Sequence, residues 1–146
     1  MPIATLRRCL SIASLGLVVF AAGCAGGAKK PDAANELPQG VIDIPAANQV
    51  VGRGVAVVGW AIDDQKVDRI DIYVDGHFRA STTPSVHRPD VLKAMPKYAH
   101  GADDTVGWQT AIDLGDEPGP HVILAQAVDS SGATRDLGPV TVVMQK

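Results

Sequence analysis

Cysteine is scarce in this 146-residue chain, which contains two, and neither lies in the part that is expected to fold. Cys9 belongs to an apolar N-terminal segment, and Cys24 directly follows that segment. A folded part without thiols has no disulfide, so its apolar core must supply its stability. Thiolate metal ligands are missing too, and no two histidines form a close pair such as H-x-x-x-H. The sequence therefore predicts no metal and no cofactor. The histidines are His77, His87, His100 and His121.

Clustered positive charge is also lacking. The chain has 13 Lys+Arg and 16 Asp+Glu, a net charge of −3. Without Arg7 and Arg8, which belong to the N-terminal segment, 11 basic residues face 16 acidic ones, so the mature chain carries about −5. Binding to nucleic acid needs clustered Lys and Arg to neutralise phosphates. This composition therefore predicts no nucleic-acid partner.

Catalytic signatures are absent as well. The sequence contains no nucleophile elbow, phosphate loop or dinucleotide fingerprint. Ser85, His87 and Asp90 lie close in sequence, but a catalytic triad is defined by its arrangement in space. We therefore expect a protein that is not an enzyme.

No apolar run is long enough for a confident membrane span, but the N-terminus has the layout of an export signal. Basic "MPIATLRR" precedes apolar "CLSIASLGLVVFAA", and the small residues of "AAG" precede Cys24. This ending resembles the bacterial lipobox, which implies cleavage before Cys24 and attachment of palmitate-type acyl chains to it. The sequence predicts a lipoprotein signal peptide over 1–23 and anchoring to the membrane through Cys24. An ordinary signal peptide that happens to contain a cysteine is the alternative.

The segment 24–40 predicts a lipidated cysteine followed by a flexible tether, because it is rich in Ala, Gly and Pro without an apolar period. Ala25, rather than Asp, follows the cysteine. By resemblance to lipoprotein sorting in bacteria with two membranes, this residue is compatible with the outer membrane. We expect a cell-envelope location.

From 41 to 146 the pattern is that of β-strands. In "VDRIDIYVDG", Ile70, Ile72 and Val74 alternate with polar or aromatic residues, and Asp75-Gly76 is a hairpin signal. About seven such strands are separated by turn residues, without full crossover helices. The sequence predicts one all-β domain, an antiparallel β-sandwich.

Aromatic residues make up only 4% of the chain. Trp60 and Trp108 each follow a glycine, which would give the indole room against the backbone. We interpret both as core residues. An exposed platform for stacking on sugars is the alternative.

One stretch, "HRPDVLKAMP", does not fit a strand. Pro89 suits the first position of a helix, Asp90 the first turn and Lys93 the last, and Pro96 would stop the helix. Val91 and Met95 have the i,i+4 spacing of an apolar face, which predicts a short helix that caps one end of the sandwich. Arg88 is expected to pair with Asp103 or Asp104. The stretch is either structural or a site for a ligand.

Several phrases together resemble a bacterial immunoglobulin-like module of secreted, cell-surface and lipid-anchored proteins. They are "GWAIDD", "VDRIDIYVDG", "RPDVLKAMP", "VGWQTAIDL" and "GPHVILAQAVDSSGAT". The likeness covers residues 40–145 and departs from the module at Pro120, which separates Gly119 from His121. It implies an immunoglobulin-like fold and supplies no catalytic residues.

Two functions follow from these observations. The first is a lipid-anchored, non-catalytic spacer or interaction module whose partner is an unknown protein or envelope polymer. The second is a carbohydrate-binding module that uses exposed aromatic residues. A calcium-binding adhesive domain is a weaker alternative, based on the aspartates of 63–64, 103–104 and 129–132. The residues expected at a partner-binding site are Arg88, Asp90, Tyr98 and Trp108.

Overall fold

The computed structural model describes residues 34–101 and 104–146. The predicted signal peptide, Cys24 and most of the predicted tether lie outside the described residues. Within the described ranges, no helix is long and apolar enough to cross a membrane.

The described residues are mainly β-structure, with one short helix and one 3₁₀ turn. Helix α1 spans Pro89–Ala94, and the 3₁₀ turn spans Pro96–Tyr98. The strands are β1 (Gln39–Ile44), β2 (Val50–Val51), β3 (Gly54–Ile62), β4 (Val67–Val74), β5 (His77–Thr82), β6 (Val86–His87), β7 (Thr105–Asp113), β8 (Gly119–Asp129), β9 (Thr134–Asp136) and β10 (Val140–Met144). Seven of them have five or more residues, as the sequence predicted, and β2, β6 and β9 are shorter.

These strands form two packed sheets. The four-stranded sheet has the order β1-β3-β7-β6. The six-stranded sheet has the order β2-β10-β8-β4-β5, with β9 paired to β8. The strand pairs are antiparallel except for β2 and β10, which are parallel. The fold is an immunoglobulin-like β-sandwich, which confirms the predicted fold class.

The core follows from the period-2 alternation of the strands. On β4, Ile70, Ile72 and Val74 are fully buried, and on β8 Ile123 and Ala125 face the same interior. The four-stranded sheet contributes its inward side chains to one apolar cluster with these residues. Those side chains are Val55, Val57, Ala61, Trp108 and Ile112.

The two Gly-Trp dipeptides lie opposite each other on neighbouring strands. Gly59 of β3 pairs with Trp108 of β7, and Trp60 pairs with Gly107. A Cβ atom on Gly59 would lie 2.5 Å from Cζ2 of Trp108, so the glycine makes room for the indole across the strand pair. From the sequence, we expected each glycine to make room for the indole of the tryptophan that directly follows it. Antiparallel pairing instead places the indole of Trp108 over the glycine of the other dipeptide.

The folded part begins a few residues before the predicted boundary at 41. Strand β1 starts at Gln39, and Pro38 is among the fully buried side chains. Asn35 Nδ2 donates to Asp129 Oδ2 at 2.7 Å, and the backbone N–H of Glu36 donates to Asp64 Oδ1 at 3.2 Å. Residues 35–40 therefore belong to the domain rather than to a flexible tether, because their polar groups have partners within it.

Candidate functional site

The connector between β6 and β7 contains three of the four residues expected at a partner-binding site, Arg88, Asp90 and Tyr98. As predicted, α1 begins at Pro89, with Asp90 in its first turn and Lys93 in its last. Pro96 does more than end this helix, since it opens the 3₁₀ turn that carries Tyr98.

The connector packs on the sandwich through a second, smaller apolar cluster. Val91 and Tyr98 are buried there against Ile62, at the end of β3, and Val106, at the start of β7. Trp60, Leu92 and Met95 are partly buried beside them. The predicted apolar face of the helix thus covers one end of the four-stranded sheet, and it is a structural element.

The guanidinium of Arg88 donates hydrogen bonds to two carboxylates of the same domain. Nη1 donates to Asp43 Oδ2 at 2.7 Å, while Nε and Nη2 donate to the carboxylate of Asp90 at 2.9 and 2.7 Å. These carboxylates raise the pKa of Arg88, with the hydrogen bonds to Asp90 as the largest cause. The aliphatic part of the side chain crosses Gly107, where a Cβ would lie 2.8 Å from Arg88 Cγ.

The expected pairing of Arg88 with Asp104 is wrong. Asp104 Oδ2 instead accepts the backbone N–H groups of His100 and Gly101 at 2.5 and 2.8 Å, and these bonds lower its pKa. Asp103 lies outside the described residues. Asp43 was missed because it is 45 positions away in sequence, and only the strand order brings it to Arg88.

Trp108 and Tyr98 are not available as a binding platform in this structure. Trp108 is 0% exposed and Tyr98 is 9% exposed. The Tyr98 hydroxyl donates to Glu36 Oε2 at 3.0 Å and accepts from Gln39 Nε2 at 2.8 Å, so it fastens the start of the domain. Stacking on a sugar requires an exposed ring face. The burial confirms the core interpretation of Trp108 and corrects the partner-binding assignment of both residues.

A groove of about 530 Å³ lies beside the connector. Its lining includes Asp63, Lys66, Asp68 and His100. Asp63 is only 4% exposed, and its Oδ1 has no hydrogen-bond partner among the described residues. Burial raises the pKa of Asp63 to about 6, and the nearby Asp64 and Asp129 add to this effect. The sequence suggested the Asp-Asp dipeptide at 63–64 only as a calcium candidate, and the burial of its first carboxyl follows from the fold.

The carboxylate of Asp129 is held by hydrogen bonds from the backbone of its own turn, residues 129–133. Asp129 Oδ1 accepts the backbone N–H groups of Ser131 and Ala133, both at 2.8 Å. The pKa of Asp129 is lowered to about 2, chiefly by the hydrogen bond from Asn35 and further by these backbone N–H groups. Gly132 has φ +90°, as the turn requires. Among residues 34–101 and 104–146, no three His, Asp or Glu side chains are grouped so that they could hold a metal ion.

His121 is the third residue of β8 and is 7% exposed. Its Nδ1 donates to Asp75 Oδ2, and its Nε2 donates to the carbonyl of Glu117, both at 2.7 Å. Two ring nitrogens that face acceptors both need protons, so these contacts raise the pKa of His121. These hydrogen bonds join the β4–β5 hairpin to β8.

No protein-family model matches the chain, and no curated protein matches it. Among solved structures, it is similar to the Clostridium thermocellum CbhA fibronectin(III)-like modules. The TM-score is 0.51 at 17% identity, over 73% of this chain and 46% of that chain. This chain therefore spans less than half of the structure that it matches, and at this identity the likeness shows the fold alone.

Two further structures are more distant. A Jonesia denitrificans lytic polysaccharide monooxygenase gives a TM-score of 0.45 at 14% identity, over 69% of this chain and 60% of that chain. A Niemann-Pick type C2 protein from Japanese carpenter ant gives 0.39 at 7% identity, over 76% and 95%.

Proposed function

We propose that this protein is a lipid-anchored, non-catalytic module of the bacterial cell envelope, attached through acyl chains on Cys24. One observation carries the non-catalytic part of this proposal: the side chains expected at a partner-binding site are bonded or buried within the domain itself. Arg88 donates hydrogen bonds to both Asp90 and Asp43, while Tyr98 and Trp108 are buried. Side chains that serve the scaffold in this way suit a spacer or interaction module, whose partner would bind another surface.

The anchor is supported by the order of the N-terminal sequence. Small residues precede Cys24, and the first described hydrogen bonds of the domain begin at Asn35. The 11 residue steps from Cys24 to Asn35 can extend to at most about 40 Å, at roughly 3.6 Å per residue. An anchor on Cys24 would therefore hold the domain close to the membrane. Ala25 after the cysteine favours the outer membrane where the bacterium has one.

Metabolic labelling with radioactive palmitate tests the anchor. We expect label in the full chain and in Cys9→Ser, the matched control whose cysteine leaves with the signal peptide. Cys24→Ser is expected to carry no label, and a labelled Cys24→Ser chain would refute the assignment. We also expect Cys24→Ala to pass into the soluble fraction.

The carbohydrate alternative can be tested separately. Addition of envelope glycans should leave the tryptophan fluorescence unchanged, because Trp108 is buried. A saturable shift that Trp60→Phe abolishes would instead establish sugar stacking at the partly buried tryptophan. Cross-linking in cells followed by mass spectrometry would identify the partner directly.

A further inference from the structure

The groove beside the connector has a buried carboxyl in its wall. The groove lies where three connections meet: the β3–β4 turn, the β5–β6 connection and the region between α1 and β7. Asp63 comes from the first of these, Pro84 from the second and His100 from the third. Asp63 is 4% exposed, whereas the side chain of Asp68, on the same lining, is 61% exposed. The carboxyl of Asp63 therefore lies deep in the groove, and that of Asp68 lies near its mouth.

The hydrogen bonding of the Asp63 carboxyl is incomplete. Oδ2 accepts a long hydrogen bond from the N–H of Gln65, at 3.5 Å, and Oδ1 has no partner among the described residues. His100 Nε2 donates to the backbone carbonyl of Asp63, at 3.3 Å, rather than to the carboxyl. Most buried polar atoms in proteins have a partner. An unpartnered carboxyl oxygen in the wall of a groove therefore indicates a place where a donor from outside the domain can bind.

The charges of the lining favour a donor that is also a cation. Three carboxylates line the groove, those of Asp63, Asp68 and Asp104, and they face one ammonium, that of Lys66. Within the described ranges, Lys66 forms no ion pair and so does not neutralise Asp63.

The ionisation of Asp63 points the same way. Burial is the main cause that raises the pKa of Asp63 to about 6, and Asp64 and Asp129 raise it further. At pH 7.5 the carboxyl is therefore mostly ionised, although it lies where water does not solvate it well. A buried carboxylate is costly unless it is paired, and a charged N–H donor makes the strongest hydrogen bonds to it.

The walls of the groove suit a carbon chain behind that charge. Four residues contribute apolar side chains to the lining, namely Ile62, Val67, Pro84 and Val106. The methylene groups of a lysine-type side chain can pack on such walls while its ammonium makes hydrogen bonds. The ethanolamine head group of a lipid has only a short stem, and its phosphate would approach Asp68 and Asp104 with the same sign of charge. The lining therefore favours a lysine-type amine over a lipid head group.

We propose that this groove binds a lysine-type primary ammonium of a partner peptide or protein, with the Asp63 carboxylate as its counter-ion. Asp68 and Asp104 attract the cation to the groove. Oδ1 is shielded from solvent, so the carboxyl turns about its Cβ–Cγ bond to meet the ammonium. The proposal rests on the interaction-module function proposed above and not on the anchor. Cross-linking in cells tests that module's partner independently, so the two proposals can fail separately.

Thermal unfolding of the purified full chain in detergent tests the ligand class. At pH 7.5 and constant ionic strength, Nα-acetyl-lysine amide should raise the melting temperature in a saturable way, because it binds the folded state. Nα-acetyl-norleucine amide lacks the ammonium, and the trimethyl-lysine derivative keeps the charge without N–H donors. Each should bind more weakly by roughly fivefold or more, since the hydrogen bonds to the carboxylate are lost. Equal shifts from the norleucine derivative, or a larger shift from phosphoethanolamine, would overturn the proposal.

A pair of variants tests the counter-ion. Asp63→Asn should lower the affinity for Nα-acetyl-lysine amide by about tenfold or more, because a charged hydrogen bond is lost. Asp116→Asn is the matched control, since that exposed carboxylate lies outside the groove, and its affinity should match that of the wild type. An unchanged affinity in Asp63→Asn would refute the site. An equal loss in both variants would also refute it, by showing a general attraction between the acidic surface and the amine.

Discussion

Arg88 and Asp43 form an ion pair that joins the two edges of the four-stranded sheet. Arg88 directly follows the edge strand β6, Asp43 lies in the opposite edge strand β1, and Nη1 and Oδ2 are 2.7 Å apart. The side chain passes the glycine at 107 on the way. A motif that looked like a candidate binding site in the sequence therefore serves as a cross-brace of the fold.

A double-mutant cycle measures this brace. Arg88→Ala and Asp43→Asn should each destabilise the domain, and their coupling energy should be about 0.5–1 kcal/mol, because the pair is only partly exposed. The measurement is equilibrium unfolding in urea. The pair formed by Arg53 and Asp113, whose side chains are 56% and 58% exposed, is the control and should show a smaller coupling energy. Additive effects of the Arg88 and Asp43 substitutions would contradict the cross-brace.

Gly59→Ala should destabilise the domain by about 1–3 kcal/mol or more, because the new methyl group has no space. It would collide with the carbonyl oxygen of Val41 and with the indole of Trp108. Gly52→Ala is the matched control, since nothing lies within 4 Å of a Cβ at that position. Its effect should stay within about 0.5 kcal/mol. Both are read from denaturant midpoints, and equal midpoints would disprove the tight packing at Gly59.

Asp63→Asn should stabilise the domain above pH 6. The pKa of Asp63 in the fold is about 6, which is higher than its unfolded value of about 3.9. The wild type therefore loses stability as the pH rises from about 3.9 through about 6, because the carboxyl ionises in its buried position. The variant should be the more stable by on the order of 1–2 kcal/mol at pH 8, with little difference near pH 4. Thermal unfolding across this range provides the measurement. Asp68→Asn, which lies on the exposed lining of the same groove, should show no such trend.

The His121–Asp75 contact predicts a stability window on the acidic side of neutrality. The pKa of His121 is raised, chiefly by Asp75, so its contribution is complete below about pH 6.5 and is lost as pH rises through the folded pKa. The pKa of Asp75 is lowered, chiefly by the N–H of Val122, so its contribution is present above about pH 3.9 and is lost in stronger acid.

Asp75→Asn should therefore lose more stability at pH 5.5 than at pH 8.5. The test compares unfolding free energies at the two pH values. Asp113→Asn is the control, because its partner Arg53 stays charged at both. A loss of equal size at both pH values in Asp75→Asn would mean that His121 is not protonated in the fold.

The sequence predicted the sandwich because its signals are local. The alternation at Ile70, Ile72 and Val74 defines which face of β4 is buried, and Asp75-Gly76 sets the hairpin that follows. The start of α1 at Pro89 was also predictable, since proline has a fixed φ that suits this position. Each of these features depends on residues a few positions apart.

The details of the site depend on contacts between distant residues, and the sequence could not supply them. Whether Trp108 stacks on a ligand or fills the core is decided by the second sheet, not by its neighbours in sequence. The pKa of Asp63 is raised chiefly by its burial, which only the fold creates, and Asp129, 66 positions later, adds to this effect.

The crossed arrangement of the two Gly-Trp dipeptides has a consequence for how the chain finds its native state. In antiparallel β3 and β7, a slip of one residue would set Trp60 directly against Trp108 and point both indoles to one side. A slip in the opposite sense would set the two glycines against each other and leave no large side chain at that point of the interior. Only the native alignment gives each indole a glycine partner. The two dipeptides therefore favour the native register of β3 and β7 over a slip of one residue in either direction.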